Sequence, residues 1–236
     1  MKILTLSLLS LAALAVNPSQ ARDASFVSAE QTRALQILPA PPTANSELGR
    51  SELAELHRLE ASRTPEQSQR AMADDKEETI FLFRKEMGPQ FTAPLLPLTA
   101  AFSARVRNDE GVNTTPGKEG FARVRPYNQD PTLHPICVTK TKNDSYPSGH
   151  TTSGYLLALA LIDMVPEKRD AILARADDYA NNRMVCGVHY PSDLQASRLL
   201  AYSIFSVMAS NPQYRKEMAA ARTELRQALG LQLSSN

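Results

Sequence analysis

The chain has 236 residues, 42% hydrophobic and 22% charged, the balance of an ordinary globular protein of one domain or two. A formal net charge of +1 excludes a strong overall field for nucleic acid or an anionic membrane, and 6% aromatic content without tryptophan disfavours a base-stacking platform. Any anion site must therefore be a local cluster of cations.

In chain order, Lys2 precedes an almost purely apolar run over 3–16, and Ser19 and Ala21 place small residues where a signal peptidase reads. Residues 1–21 are expected to be a signal peptide cleaved near Ala21. The run is too short to span a bilayer comfortably, although an uncleaved anchor is the alternative. No later stretch reaches spanning length without charges, so stable membrane insertion is not expected. A leader over 22–45, with Pro39, Pro41 and Pro42 and no helical period, is expected to lie extended on the surface or to be mobile.

From residue 46 the pattern is helical throughout. Ser51 can cap a helix carrying Leu53, Leu56 and Leu59, and Thr64-Pro65 reads as the start of another that runs through Ile80, Leu82 and Phe83 towards Met87, where Gly88-Pro89 breaks it. A helix over 93–106, a polar loop over 108–117 and a short helix over 118–124 follow. A long ordered loop covers 127–146. Helices over 149–165 (apolar nearly all round, hence central), 166–182, 191–210 and 212–229 close the chain, the last with Gly230 as a C-cap glycine. With no alternating strand pattern, the expected fold is all-α, a single helical-bundle domain over 46–236.

Three clusters carry chemistry. Lys118 and Arg125, two turns apart if helical, would project from one face and hold phosphate oxygens; alone, such a pair is usually just solvated. Ser148, Gly149 and His150 follow Pro147 at the start of the apolar helix, where free amides make an anion site; the bland alternative is a helix cap beside an incidental histidine. His189 and Asp193, astride Pro191 and downstream of Arg183, can pair so that one ring nitrogen donates to the carboxylate and the other keeps its lone pair; alone, this reads rather as a structural pair near a helix start. Together they meet one requirement. Phosphoryl transfer needs cations on the equatorial oxygens, a nucleophile in line and an acid on the leaving oxygen. Lys118, Arg125 and Arg183 supply the cations, His189 the nucleophile and His150 the acid.

Cys137 and Cys186 are the only cysteines, and in an exported chain an even count favours a bridge over two buried thiols. No His-x3-His pair or Cys-x2-Cys knuckle is present, so no metal site is expected.

The pattern Lys118-x6-Arg125-Pro126, Pro147-Ser-Gly-His150 and Arg183-x5-His189-x3-Asp193 resembles the phosphatidic-acid-phosphatase type 2 / vanadium haloperoxidase superfamily. The match is closer still to the class A bacterial non-specific acid phosphatases, which share the run 145–151, a leader like that at 38–41 and a cysteine three before the nucleophile. The resemblance implies a periplasmic or secreted acid phosphatase acting on small-molecule phosphate monoesters. His189 would form a phosphohistidine, oriented by Asp193. His150 would act as acid and then base, and Ser148 with the Gly149 and His150 amides would join the cations around phosphate. It also implies no cofactor, vanadate or phosphate as inhibitors, no nucleic-acid partner and a homo-oligomer. Two positions depart from the pattern: Asn182 stands for the usual Ser and can still donate to phosphate, and Asp144 stands for the usual Gly at the site mouth. The competing readings are a vanadium-dependent haloperoxidase, a membrane lipid-phosphate phosphatase and a non-catalytic phosphate-binding helical protein.

Overall fold

A computed structural model of the chain describes residues 23–232; the expected signal peptide lies outside the described residues. Within them the fold is all-α, as the pattern predicted. The elements in order are α1 (Ala29–Thr32), α2 (Ala34–Ile37), α3 (Glu47–Ser62), α4 (Pro65–Asp74), a 3-10 turn (Ile80–Phe83), α5 (Arg84–Met87), α6 (Pro97–Phe121), α7 (Pro126–Gln129), α8 (Gly149–Met164), a 3-10 turn (Pro166–Lys168), α9 (Arg169–Val185), α10 (Pro191–Met208) and α11 (Pro212–Ala228).

The bundle is organised around α8, which packs against α6, α9, α10 and α11. Its apolar residues face neighbours in every direction: Tyr155, Leu156, Leu157, Leu161 and Met164 are all buried. Each buried Leu removes its side chain from water, worth about 1.5–3 kcal/mol against exposure. Gly154 lets α9 approach, since a Cβ there would lie 2.6 Å from Cδ1 of Tyr179. Thr64 caps α4 with Pro65 in the first turn, as expected, and Gly230 follows α11 at φ 66°.

Four expectations fail for physical reasons. The leader lies irregular on the surface only over 39–45 and is otherwise not extended. It forms α1 and α2, and Phe26, Val27, Ala34 and Leu38 enter the core. The polar stretch 108–117 is not a loop but the middle of α6, with Pro116 accommodated inside it. The two errors share a cause. Asp109 accepts from the amides of Ser25, Phe26 and Val27 at 2.6, 2.7 and 2.9 Å, and Asn113 donates to the Val27 carbonyl. The polar residues of α6 are thus partners for the leader, not a solvated connection. The helix from Pro65 stops at Asp74, whose carboxylate is taken by Arg175 and Asn182. Finally, Ser46, not Ser51, caps α3, accepting from Gly49 N at 3.0 Å.

Candidate active site

α6 ends at Phe121 with Ala122 left-handed, at φ 45°. Arg125 therefore lies beyond the helix in extended backbone, and the expected common helical face with Lys118 does not exist. The two side chains converge nonetheless, because the chain reverses and both turn to the loop at 144–147. Lys118 Nζ donates to the carbonyls of Asp144 and Pro147 at 2.8 and 2.7 Å, and Arg125 Nε donates to Asp144 Oδ1 at 2.7 Å. Burial, reinforced by Arg125, pushes the Lys118 ammonium down to about 8.

Pro147 is joined to Tyr146 by a cis peptide, and α8 starts two residues later. Ser148 caps it, accepting from Thr151 N at 3.3 Å, while its own amide donates to Ser197 Oγ at 2.7 Å. The Ser148 hydroxyl is thus buried behind the first turn. The Gly149 and His150 amides precede the first intrahelical bond, from Thr152 N to Ser148 O, and both residues line the cavity described below. A Cβ at Gly149 would lie 2.9 Å from Glu110 Oε1, so a larger residue there would require the Glu110 side chain to shift.

Between α9 and α10 the chain delivers Arg183 and His189. Asp193, in the first turn of α10, takes His189 Nδ1 at 3.1 Å, the Tyr190 amide at 2.9 Å and Ser145 Oγ at 2.6 Å on Oδ2. Its Oδ1 accepts from Arg123 Nη1 at 2.6 Å. An ionised carboxylate can only accept, so Nδ1 of His189 carries the hydrogen and Nε2 the lone pair. That Nε2 faces Arg125 Nη1 at 3.1 Å. Burial first, then Arg125, Arg183 and Lys118, holds the His189 imidazole well below its ordinary range, hence neutral. Burial pushes the Asp193 carboxyl upward, opposed by Arg123, Ser145 and the Tyr190 amide.

Lys118, Arg125, Asp144, Gly149, His150, Arg183 and His189 line one cavity of about 1050 Å³. Asp193 stands behind His189. Of the residues expected to hold or attack phosphate, Lys118, Arg125, Gly149, His150, Arg183 and His189 line this cavity, Ser148 is buried behind the first turn of α8, and Asn182 lies outside it. His150 Nε2 lies 3.2 Å from the Asp75 carbonyl and 3.3 Å from Glu78 Oε1. Burial, with Arg183 second, pushes its imidazole down to about 3.

Several functional neighbours escape a reading of the sequence. Asp75 Oδ1 accepts from Arg183 Nη1 at 2.6 Å, and Arg183 Nε is buried without a partner. Arg123, inside the first block, bridges Asp193 to Glu52 at 2.6 and 2.7 Å and lies over the Tyr190 ring at 3.9 Å. Arg125 lines the cavity while Arg123 turns to the carboxylates behind it, a split that the two-residue spacing does not signal, because residues two apart in extended backbone share a side. Asn182 donates its amide to Asp74 Oδ2 at 2.7 Å and is not among the residues lining the cavity. Cys137 and Cys186 form the expected disulfide. With Asp75 they are the described His, Cys, Asp and Glu side chains close enough to share an ion, but both sulfurs are committed to that bond.

Residues 97–217 match the PAP2 superfamily. A non-specific acid phosphatase of Providencia stuartii is 30% identical over 201 residues, covering 80% of this chain and 79% of that protein. An acid phosphatase of Zymomonas mobilis is 35% identical over 138 residues, 56% of this chain and 52% of its own. A non-specific acid phosphatase of Salmonella typhimurium is 35% identical over 115 residues, 48% and 46% respectively. A transmembrane PAP2-type phosphatidylglycerolphosphate phosphatase from Bacillus subtilis shares the fold, with a TM-score of 0.50 over 70% of this chain and 87% of that one at 17% identity. No helix among the described residues here is long and apolar enough to cross a membrane. The resemblance read from the three sequence blocks thus holds along most of the chain, and the protein belongs to the PAP2 superfamily.

Proposed function

We propose that this phosphatase is exported and hydrolyses phosphate monoesters by a two-step, metal-independent route through a phosphohistidine at His189. The observation that carries the reading is the orientation of His189: Nδ1 on Asp193 at 3.1 Å and Nε2 aimed at the cavity beside Arg125. A substrate phosphate enters among Lys118, Arg125, Arg183 and the first-turn amides of α8, with Ser148 anchoring that turn. Nε2 forms a bond to phosphorus as the ester P–O bond breaks, and the departing oxygen takes the His150 proton. Water then attacks phosphorus, giving a proton to His150. The P–N bond breaks, its electron pair returns to Nε2 and phosphate leaves. Developing charge is neutralised by fixed ammonium and guanidinium groups, which supports chemistry without a metal or other cofactor.

Phosphate release from p-nitrophenyl phosphate with and without EDTA tests this. Activity retained in chelator and abolished in His189→Ala is the expected result. Activity lost to EDTA and restored by zinc, or unchanged in the variant, would overturn it. Vanadate, a phosphate mimic, is expected to inhibit. Bromide oxidation with vanadate and peroxide, at rates exceeding phosphate release, would favour the haloperoxidase reading.

A further inference from the structure

A second cavity, of about 770 Å³, adjoins the first, and Glu78 and Arg107 line both. These two side chains form an ion pair and stand as a threshold between them. Beyond the threshold the exposed wall is more apolar than polar, although Thr79, Thr92, Ser103 and Asn108 also line it. Phe81 and Phe91 form the floor, both buried, with ring centroids 5.0 Å apart. Ala104, one turn before Arg107 on α6, and Ala93 form an open rim.

The direction of the reaction connects this cavity to the phosphate site. In an in-line displacement the leaving oxygen departs on the side opposite His189 Nε2. It takes its proton from His150 Nε2, which lies 3.3 Å from Glu78 Oε1. The carbon skeleton of the leaving alcohol must therefore pass Glu78, and the space past Glu78 is the apolar cavity. His189 and the phosphate cations line only the first cavity, so the second has no cation of that cluster to hold another anionic group. Arg107 is engaged by both Glu78 and Glu110, and Arg84 by Glu77.

We propose that the cavity floored by Phe81 and Phe91 is the leaving-group subsite, which selects monophosphate esters of uncharged aromatic or apolar alcohols. Glu78 at its threshold repels esters whose leaving group carries a second negative charge. The inference rests on the phosphatase reading above and adds the substrate class to it.

Comparison of kcat/KM for 1-naphthyl phosphate and for glycerol 1-phosphate in the wild type, Ala104→Trp and Ala93→Trp tests it. Both alanines are exposed, one on a helix and one in a turn, so at least one replacement leaves the fold intact. The preference for the naphthyl ester should fall on the order of tenfold or more in the variants, as expected for filling an apolar pocket. Glycerol phosphate turnover and inhibition by inorganic phosphate should hold. A preference unchanged in both variants, or a parallel fall on both substrates, would overturn the subsite. Wild-type protein that released phosphate from neither ester would overturn the phosphatase reading and this inference with it.

Discussion

Arg183 Nη1 donates to Asp75 Oδ1 at 2.6 Å, so a cation proposed for phosphate is already held by a carboxylate when the cavity contains no anion. Both side chains are almost wholly buried. Arg183 holds Asp75 below the usual carboxylate range against the upward push of burial. The pair fixes the guanidinium in place before substrate arrives, which is how a preorganised electrostatic site avoids reorganisation during reaction.

Breaking that pair leaves a buried guanidinium charge uncompensated, a change that costs about 3–5 kcal/mol in such settings. Asp75→Asn is therefore expected to lower stability in phosphate-free buffer. Added phosphate should restore it more strongly than it stabilises the wild type, because the anion takes over the role of the carboxylate. Thermal denaturation of both proteins across a phosphate series measures this. Equal phosphate shifts in the two would contradict it.

Arg123 supports His189, the proposed nucleophile, from behind, through Asp193 and Glu52. Arg123→Met leaves those two buried carboxylates without their cation, and a loss of about 3 kcal/mol or more is expected. kcat should fall as well, because Asp193 then no longer fixes the His189 ring. Urea denaturation and p-nitrophenyl phosphate kinetics check the two effects. A stable variant with full kcat would remove Arg123 from the account.

The histidines set the pH behaviour. His150 in the folded protein is pushed from 6.5 down to about 3 by burial, then by Arg183, with Arg107 adding and the Asp75 carbonyl and carboxylate opposing. The folded state therefore binds fewer protons than the unfolded chain. Stability from this group is full above pH 6.5 and is lost as pH falls towards 3. His189 has the same sign. A bound phosphate dianion favours the imidazolium of His150, so the proposed acid would be charged by its own substrate. The denaturation midpoint should fall below pH 6.5 without phosphate, and the stabilisation given by phosphate should grow over the same window. A phosphate effect that is flat in pH would contradict this.

The disulfide joins residues 49 apart in sequence, and chain entropy over such a loop gives about 4 kcal/mol. It also bears on the site. Val138, next to Cys137, donates its amide to Asp75 Oδ2 at 3.1 Å, and Ile136 N donates to the Cys186 carbonyl at 3.1 Å. Replacing both cysteines by serine should lower stability by about 2–4 kcal/mol and reduce kcat, because the segment that holds Asp75 loosens. Calorimetry and steady-state kinetics test this; an unchanged midpoint would remove the bridge as a support.

The site's core was legible in the sequence because its parts are local. His189 and Asp193 meet four residues apart across a helix start, and Gly149 and His150 open an apolar helix. The supporting groups were not. Asp75, Glu52 and Glu78 lie on stretches that read as ordinary charged helix or turn, and nothing local marks them as partners of Arg183, Arg123 and His150. The polar stretch 108–117 was misread for the same reason: Asp109 and Asn113 meet their partners in residues 25–32, more than eighty positions away. Asn182 stands where the pattern has Ser, and Asp74 on α4 takes its amide from a distance that no local spacing reports. Short-range spacing encodes the groups proposed to react; long-range pairing, which no single-sequence period reports, fixes them.

The central claim is that Nε2 of His189 becomes covalently phosphorylated. Rapid acid-free quenching during turnover, followed by peptide mass spectrometry, tests it most directly. The account predicts one added phosphoryl group on the peptide that contains His189, labile to acid and stable to base, and absent in His189→Ala. Turnover with no phosphorylated protein at any quench time, or a phosphoryl group on another residue, would contradict it.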